Sequence, residues 1–567
     1  MRIPLRCHDR DRQPPPRLNA GRGQTSIGTG FTTGNYHMKR RSLLKGLGAA
    51  GVGLAAPSIA AAQGARVLKF IPHADLTVLD PIWTTAYITR NHGYLVYDTL
   101  FGMDSDYKTT PQMAEGMTVE NDGKLVRITL RDGLKFHDGE KVLARDCVAS
   151  IQRWGKRDTF GQTLMSVTDE VTAPDDKTIQ FRLKRAFPLL ADALAKPPSN
   201  FAAMMPERLA KTDAFTQITE VVGSGPFRFL ARERNAGHLV AYEKFADYVP
   251  RASGTPNGTA GPKVVHFDRI EWRIIPDQGT AAAALQSGEV DWWESVGGDF
   301  RQLLTRAGLN VQVLDPAGSM GCMRLNFVQP PFNNPAARRA LFKALNQTDF
   351  MEAASAGDPS MYTVPSGFFP PGTPMASTAG FEAIPAKPDF AAAKRELEAT
   401  GYKGERIVLL HATDLNSVKT LGDVAADMLK RAGLNVEVAA MDWGTVVQRR
   451  IKKEPVAQGG WNAACTYWSG QDHLNPAGHV FLRGTGERGG NWGWPDSPRL
   501  EELRDAWFAA PDLAGQQKVA ADMQRQAFQD VPYVPLGQVR GVTAYRKNLT
   551  GVLQGIPVFW NVQRATA

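Results

Sequence analysis

The chain has 567 residues, 66 of them Lys or Arg and 57 Asp or Glu, for a net charge of +9 that is unevenly placed. Residues 1–62 hold ten Lys or Arg and only two Asp or Glu, which leaves a net of +1 for the remaining 505. A global basic surface for nucleic acid or anionic lipid is thereby excluded. The 43% hydrophobic and 22% charged content is ordinary for a soluble globular protein large enough for two or three lobes.

Residues 1–37, with Pro14-Pro15-Pro16 and scattered Arg and Gly, show no apolar periodicity and are expected to be a disordered or non-native extension. Met38 then opens a basic head, Lys39-Arg40-Arg41-Ser42-Leu43-Leu44-Lys45, followed by a charge-free run from Gly46 to Ala65. Paired arginines, a mild Gly- and Ala-rich middle and Ala60-Ala61-Ala62 predict a twin-arginine signal peptide over 38–62, cleaved after Ala62. The protein is therefore expected in the periplasm.

Beyond the leader, helical and strand patterns alternate, which predicts α/β lobes. Leu125–Leu130 alternates as a strand and Asp132-Gly133 is turn chemistry. Val148, Ile151 and Trp154 recur at helical spacing over Ala144–Trp154. Asn333-Asn334-Pro335 reads as a helix start, with Ala337, Leu341, Ala344 and Leu345 on one face and Arg338, Arg339 and Lys343 on another. Val418, Leu421, Ala425, Met428 and Leu429 form an apolar face that stops at Gly433, and Leu434–Val438 follows as a strand.

Cys147, Cys322 and Cys465 are too few and too far apart for a disulfide framework or a zinc site, and buried free thiols are expected. Two G-x-G-x-x-G matches, at Gly46 and Gly484, lack the strand before and helix after that a dinucleotide site requires. No catalytic motif, metal set or cofactor motif is found, so no catalytic residue, metal or cofactor is assigned. Tryptophans crowd the last third instead. In Tyr467-Trp468-Ser469-Gly470-Gln471-Asp472-His473 two aromatics adjoin a flexible Gly and several hydrogen-bonding groups, the composition of a small-molecule pocket wall.

Six strings in register carry a resemblance. Asp80-Pro81 with Leu95–Leu100, Lys135-Phe136-His137-Asp138-Gly139-Glu140 with Ala144–Val148, Gly223–Phe227, Ala284–Asp291, Pro331–Leu341 and Val531–Leu536 resemble the landmarks of the peptide/nickel (dipeptide- and oligopeptide-binding) solute-binding proteins of ABC importers. The resemblance implies a two-lobed α/β fold with a hinge and an extra N-terminal-lobe subdomain. Lobe I would span 63–312 and lobe II 316–530, with 531–567 returning to lobe I. It implies a monomer that captures a peptide or similar small solute and delivers it to the transmembrane subunits of an ABC permease.

Carried onto this chain, the resemblance makes Trp468 a stacking wall beside Tyr467, Gly470, Gln471 and Asp472. From lobe I it points to Thr85, Tyr87 and Arg90, with Trp443 at a further landmark. Peptide binders of this type place an acid where Gln471 stands, so the carboxylate is absent or displaced to Asp472. Arg90 is read either as an anion contact or as a surface salt bridge. An exported hydrolase or oxidoreductase using the same cleft, and a chaperone or scaffold needing no ligand, are the competing readings.

Overall fold

Apolar strands buried on both faces organise the protein, whose computed structural model describes residues 66–489 and 491–565. The extension and signal peptide expected over 1–62 lie outside the described residues. The first sheet has seven strands, in the order Asn310–Val313, Val542–Tyr545, Trp292–Val296, Val67–Ile71, Arg269–Arg273, Leu239–Lys244 and Phe227–Phe229. Val67–Ile71 runs parallel to both of its neighbours. Its Leu68, Phe70 and Ile71 are buried, as a strand covered on both faces requires.

The second sheet has six strands, in the order Tyr362–Thr363, Tyr533–Val539, Ser319–Leu325, Ala463–Ser469, Arg406–Ala412 and Asn435–Met441. Arg406–Ala412 and Asn435–Met441 are parallel and joined through the helix Asn416–Arg431, a βαβ unit. All five apolar residues expected on one face of that helix are buried. Gly433 ends it at φ +90°, a conformation that costs a side-chain-bearing residue dearly. A separate antiparallel sheet of Ala114–Glu120, Leu125–Leu130, Thr178–Leu183 and Thr168–Thr172 forms, with the helix Ala144–Trp154, an extra layer on the first-sheet side.

The chain passes between the two large sheets through residues 314–318 and again through 540–541. The second passage corrects the expected return at residue 531. Tyr533–Val539 pairs antiparallel with Ser319–Leu325 inside the second sheet, and only Val542–Tyr545 rejoins the first. The reason is burial: Tyr533 to Gln538 is enclosed throughout, which a strand achieves as an inner member of a sheet and not as a connector.

Asn334 caps the helix Pro335–Ala344, its side chain accepting from Ala336 N at 2.9 Å. Arg338 departs from the expected outward face. It is buried, donates to the carbonyls of Asp530 (2.8 Å) and Phe332 (2.7 Å), and lies over the Phe327 ring at 3.6 Å. A planar guanidinium can satisfy carbonyls while its stem packs, so helical phase alone misjudges it. Cys147, Cys322 and Cys465 are buried and free.

Candidate ligand-binding cleft

The helix Tyr87–Val96 projects Tyr87 from the first-sheet side into the segment that follows the second-sheet strand Ala463–Ser469. The Tyr87 hydroxyl donates to Asp472 Oδ2 at 2.6 Å and accepts from the Ser469 backbone N–H at 2.7 Å. Ser199 Oγ, also from the first-sheet side, donates to Asp472 Oδ1 at 3.0 Å. Lys196 backs this contact: its ammonium pairs with Asp158 at 2.6 Å and donates to the Ser199 carbonyl at 2.6 Å. Residues 385 positions apart in sequence thus close the two halves on one carboxylate.

Local geometry fixes the receiving segment. The Gly470 N–H donates to the Gly318 carbonyl at 2.7 Å, and a Cβ at position 470 would stand 2.1 Å from the Ala317 carbonyl oxygen, so only glycine fits. Ser469 Oγ accepts from Gln471 N at 3.2 Å and starts the short 3-10 turn that carries Gln471 and Asp472. Gln471 Nε2 then donates to Asp315 Oδ2 at 3.1 Å, on the 314–318 passage between the sheets.

A second set lies one helical turn from Tyr87. Arg90 is buried, with Nε and Nη2 both donating to Asn91 Oδ1 (3.1 and 2.9 Å) and its guanidinium 4.7 Å above the Tyr87 ring. Asn91 Nδ2 donates to Glu294 Oε1 at 2.8 Å, and the His73 N–H and ring meet Glu294 Oε2 at 2.8 Å. The surface salt bridge read for Arg90 is therefore corrected: the side chain is enclosed, and its hydrogen-bond acceptor is a neutral amide.

Burial sets the electrostatics. It pushes the Asp315 carboxyl up to about 6, against the opposing hydrogen bonds from Gln471 and Ala317 and the charge of Arg90. Burial also raises Asp472, opposed by Lys196, Tyr87 and Ser199, and raises the Tyr87 phenol. Glu294 suffers the same burial, yet His73 and Arg90 outweigh it and hold the carboxyl below its ordinary range. Among the described residues no group of three or more His, Cys, Asp or Glu side chains could hold a metal ion.

Of the residues expected at the site, Tyr87, Arg90, Gly470, Gln471 and Asp472 come together. Thr85 is exposed on the turn just before Tyr87. Trp468 is only 8% exposed and packs on Phe481 (ring centroids 4.9 Å) and His473 (6.2 Å), a wall behind the turn that carries Gln471 and Asp472. Tyr467 adjoins it on the same strand and so faces the opposite side of the sheet, where it meets Gly321. Trp443 opens the helix Trp443–Arg449 with the Arg450 guanidinium 5.6 Å over its ring, apart from the Tyr87 contact. Sequence reasoning missed His73, Asn91, Lys196, Ser199, Glu294 and Asp315. Each is a lone polar residue with no spacing signal.

A further brace spans the halves. Arg504 Nη2 donates to Thr163 Oγ1 at 2.9 Å, and the Phe508 ring meets Phe187 at 5.8 Å and Phe160 at 6.3 Å.

Comparison with known proteins agrees with this architecture. The family model described as bacterial extracellular solute-binding proteins, family 5, middle region, matches residues 108–486. The probable peptide ABC transporter periplasmic-binding protein y4tO of Sinorhizobium fredii is 37% identical over 537 residues, covering 93% of this chain and 100% of that protein. The protein AgaA of A. tumefaciens R10, solved with agropinic acid, superposes with a TM-score of 0.73 at 22% identity, covering 88% of this chain and 99% of its own. A dipeptide-binding protein of Pseudoalteromonas sp. SM9913, solved with Met-Leu, gives 0.72 at 18%, covering 88% and 100%. The two structures share the two-lobed fold. This chain belongs to the family 5 bacterial extracellular solute-binding proteins.

Proposed function

We propose that the chain is the periplasmic solute-binding component of an ABC importer, capturing a peptide or similar small solute between two lobes and presenting the closed form to the membrane subunits. Lobe I is assigned to residues 66–313 and 542–565, and lobe II to 319–539. The observation that carries the reading is the meeting of Tyr87 and Ser199 of lobe I with Asp472 and Ser469 of lobe II. Such contacts exist only when the lobes are shut, and the two short passages give the chain a hinge about which to open. A solute that touches both lobes binds the closed state better and shifts the population toward it. Tyr87, Arg90, Gly470, Gln471 and Asp472 surround the point of closure, and Trp468 supports it from behind.

Export by the twin-arginine route, cleavage near Ala62 and a monomeric receptor complete the proposal. Nothing in it asks that a bond of the solute be broken. The test is calorimetric titration and thermal melting with candidate solutes, followed by recovery of the solute. A bound solute at a hundredfold excess over its dissociation constant should add about 2.7 kcal/mol of stability and come back chemically unchanged. A solute recovered as product would contradict the reading.

A further inference from the structure

The two large sheets come edge to edge beside the second passage, at residues 540–541. Asn310–Val313 is an edge strand of the first sheet, and Tyr362–Thr363 is an edge strand of the second. Val542 pairs with Val313, Val539 pairs with Tyr362, and the Arg540 N–H donates to the Met361 carbonyl at 2.7 Å. Gly541 has no ladder partner among the described residues, and a Cβ there would meet nothing within 4 Å. The two edges stop short of each other and leave a groove of about 490 Å³.

Its walls are apolar at Val311, Val313, Met361 and Val542, and cationic at Arg301 and Arg306 of the helix Gly298–Arg306. A space of that size, apolar with a few placed polar groups, suits a small molecule. Among the described residues its lining holds no Asp or Glu. Arg301 is answered from outside the lining, by Asp358. Thr305 Oγ1 is spent on the Arg301 carbonyl (2.9 Å), and Gln312 Oε1 accepts from the Tyr545 hydroxyl (3.1 Å). Arg306 is exposed and makes no ion pair or side-chain hydrogen bond among the described residues. The charge left open is a guanidinium, whose planar fork takes a carboxylate through two bonds. Val313 and Val542 belong to the first sheet, and Met361 leads into the edge strand of the second. Turning the sheets about 314–318 and 540–541 therefore reshapes the groove, which links its occupancy to the hinge.

We propose that this groove is a second binding site, for a small carboxylate with an apolar body, and that its occupant braces the hinge. The carboxylate meets Arg306, and the body lies on Val311, Val313, Val542 and Met361. The groove shares no residue with the cleft contacts of Tyr87, Ser199 and Asp472. It therefore goes beyond solute capture, and it stands whichever solute the cleft receives.

The experiment is a ligand-observed NMR titration of the mature protein with two matched pairs, benzoate with benzamide and hexanoate with hexanamide. Within a pair the body is the same and only the charge differs. The acid should bind about tenfold more tightly than its amide. Arg306→Gln should erase that preference, with the melt recorded to show that the variant is folded. Arg185→Gln removes an exposed arginine outside the groove and should leave the preference intact. Amide hydrogen exchange across 540–542 should slow by about fivefold with the bound acid at saturation. Failure of both acids to bind, equal binding of acid and amide, or a preference that survives Arg306→Gln overturns the site. A preference lost equally in Arg185→Gln marks a general charge effect and also overturns it. A bound acid with unchanged exchange across 540–542 overturns the brace on the hinge.

Discussion

Two kinds of carboxylate, buried or half-buried, divide this molecule. In the body of lobe I, Asp80 meets Arg153 through two hydrogen bonds of 3.1 and 2.7 Å, and Asp98 meets Lys263 at 2.7 Å. Asp80 also accepts the Ile82, Trp83 and Ile218 N–H groups, and Asp98 accepts the Tyr248 hydroxyl. Every oxygen has a donor, and a cation answers each charge. Between the lobes, Asp315 and Asp472 have neutral donors and no contacting cation among the described residues. Permanent structure thus carries its own counter-charge, whereas the place where the lobes part and meet does not. An ion pair that must be rehydrated at each opening would oppose the motion, and hydroxyl and amide contacts exchange with water at far smaller cost.

The sharpest way to break this comparison is to treat a lobe I carboxylate as if it were expendable. Asp80→Ala strands the enclosed Arg153 guanidinium and should cost about 3–5 kcal/mol of stability by denaturant unfolding. A loss no greater than that of Asp472→Ala would erase the distinction. Trp468→Ala sharpens it from the other side. The indole packs on Phe481 and His473, so its removal should open a cavity and lower the unliganded melt, a loss of roughly 3–5 kcal/mol. Weakened solute binding with an unchanged melt would move Trp468 from backing wall to ligand contact.

The pH dependence of stability follows from Asp315, whose carboxyl is raised to about 6. A raised acid binds more protons folded than unfolded. Its contribution is whole below the ordinary carboxylate range and is lost as pH climbs to about 6. The burial-lowered His473 and His479 act oppositely, costing stability as pH falls below 6.5. The contribution of Asp315 is therefore read as the difference between native protein and Asp315→Asn, which should vanish near pH 4 and favour the variant above pH 6. A difference independent of pH would show that the Asp315 carboxyl is not raised. The smallest effect belongs to Tyr87→Phe, which strips Asp472 Oδ2 and the Ser469 N–H of their partner in the closed form alone. Solute affinity should weaken by roughly 1–3 kcal/mol while the melt of each lobe holds. An unchanged affinity would show that closure does not pass through this hydroxyl.

Periodic features were open to reading because they repeat within one element. The Asn334 cap, the helices Ala144–Trp154 and Asn416–Arg431, and the strand Leu125–Leu130 all stand where their patterns place them. Arg338 did not follow its phase, since a guanidinium can be buried against carbonyls that no local pattern announces. The strand Tyr533–Val539 was assigned to the wrong side because its partner, Ser319–Leu325, is over two hundred residues earlier. The site was half legible. The string Ser469–Asp472 announced a polar turn beside an aromatic wall, and that turn meets Tyr87 and Ser199, but Asp315, Ser199 and Glu294 are single polar residues whose partners come from distant parts of the chain. Asp472 stands in that turn with one oxygen held by Tyr87 and the other by Ser199, contacts that its own stretch of sequence does not announce.

Small-angle X-ray scattering on the mature protein, with and without a solute shown to bind, bears most directly on the hinged cleft. The account predicts a smaller radius of gyration on binding, with Tyr87→Phe needing more solute to reach the same compact profile. Superimposable profiles at saturation and in the absence of solute would contradict it.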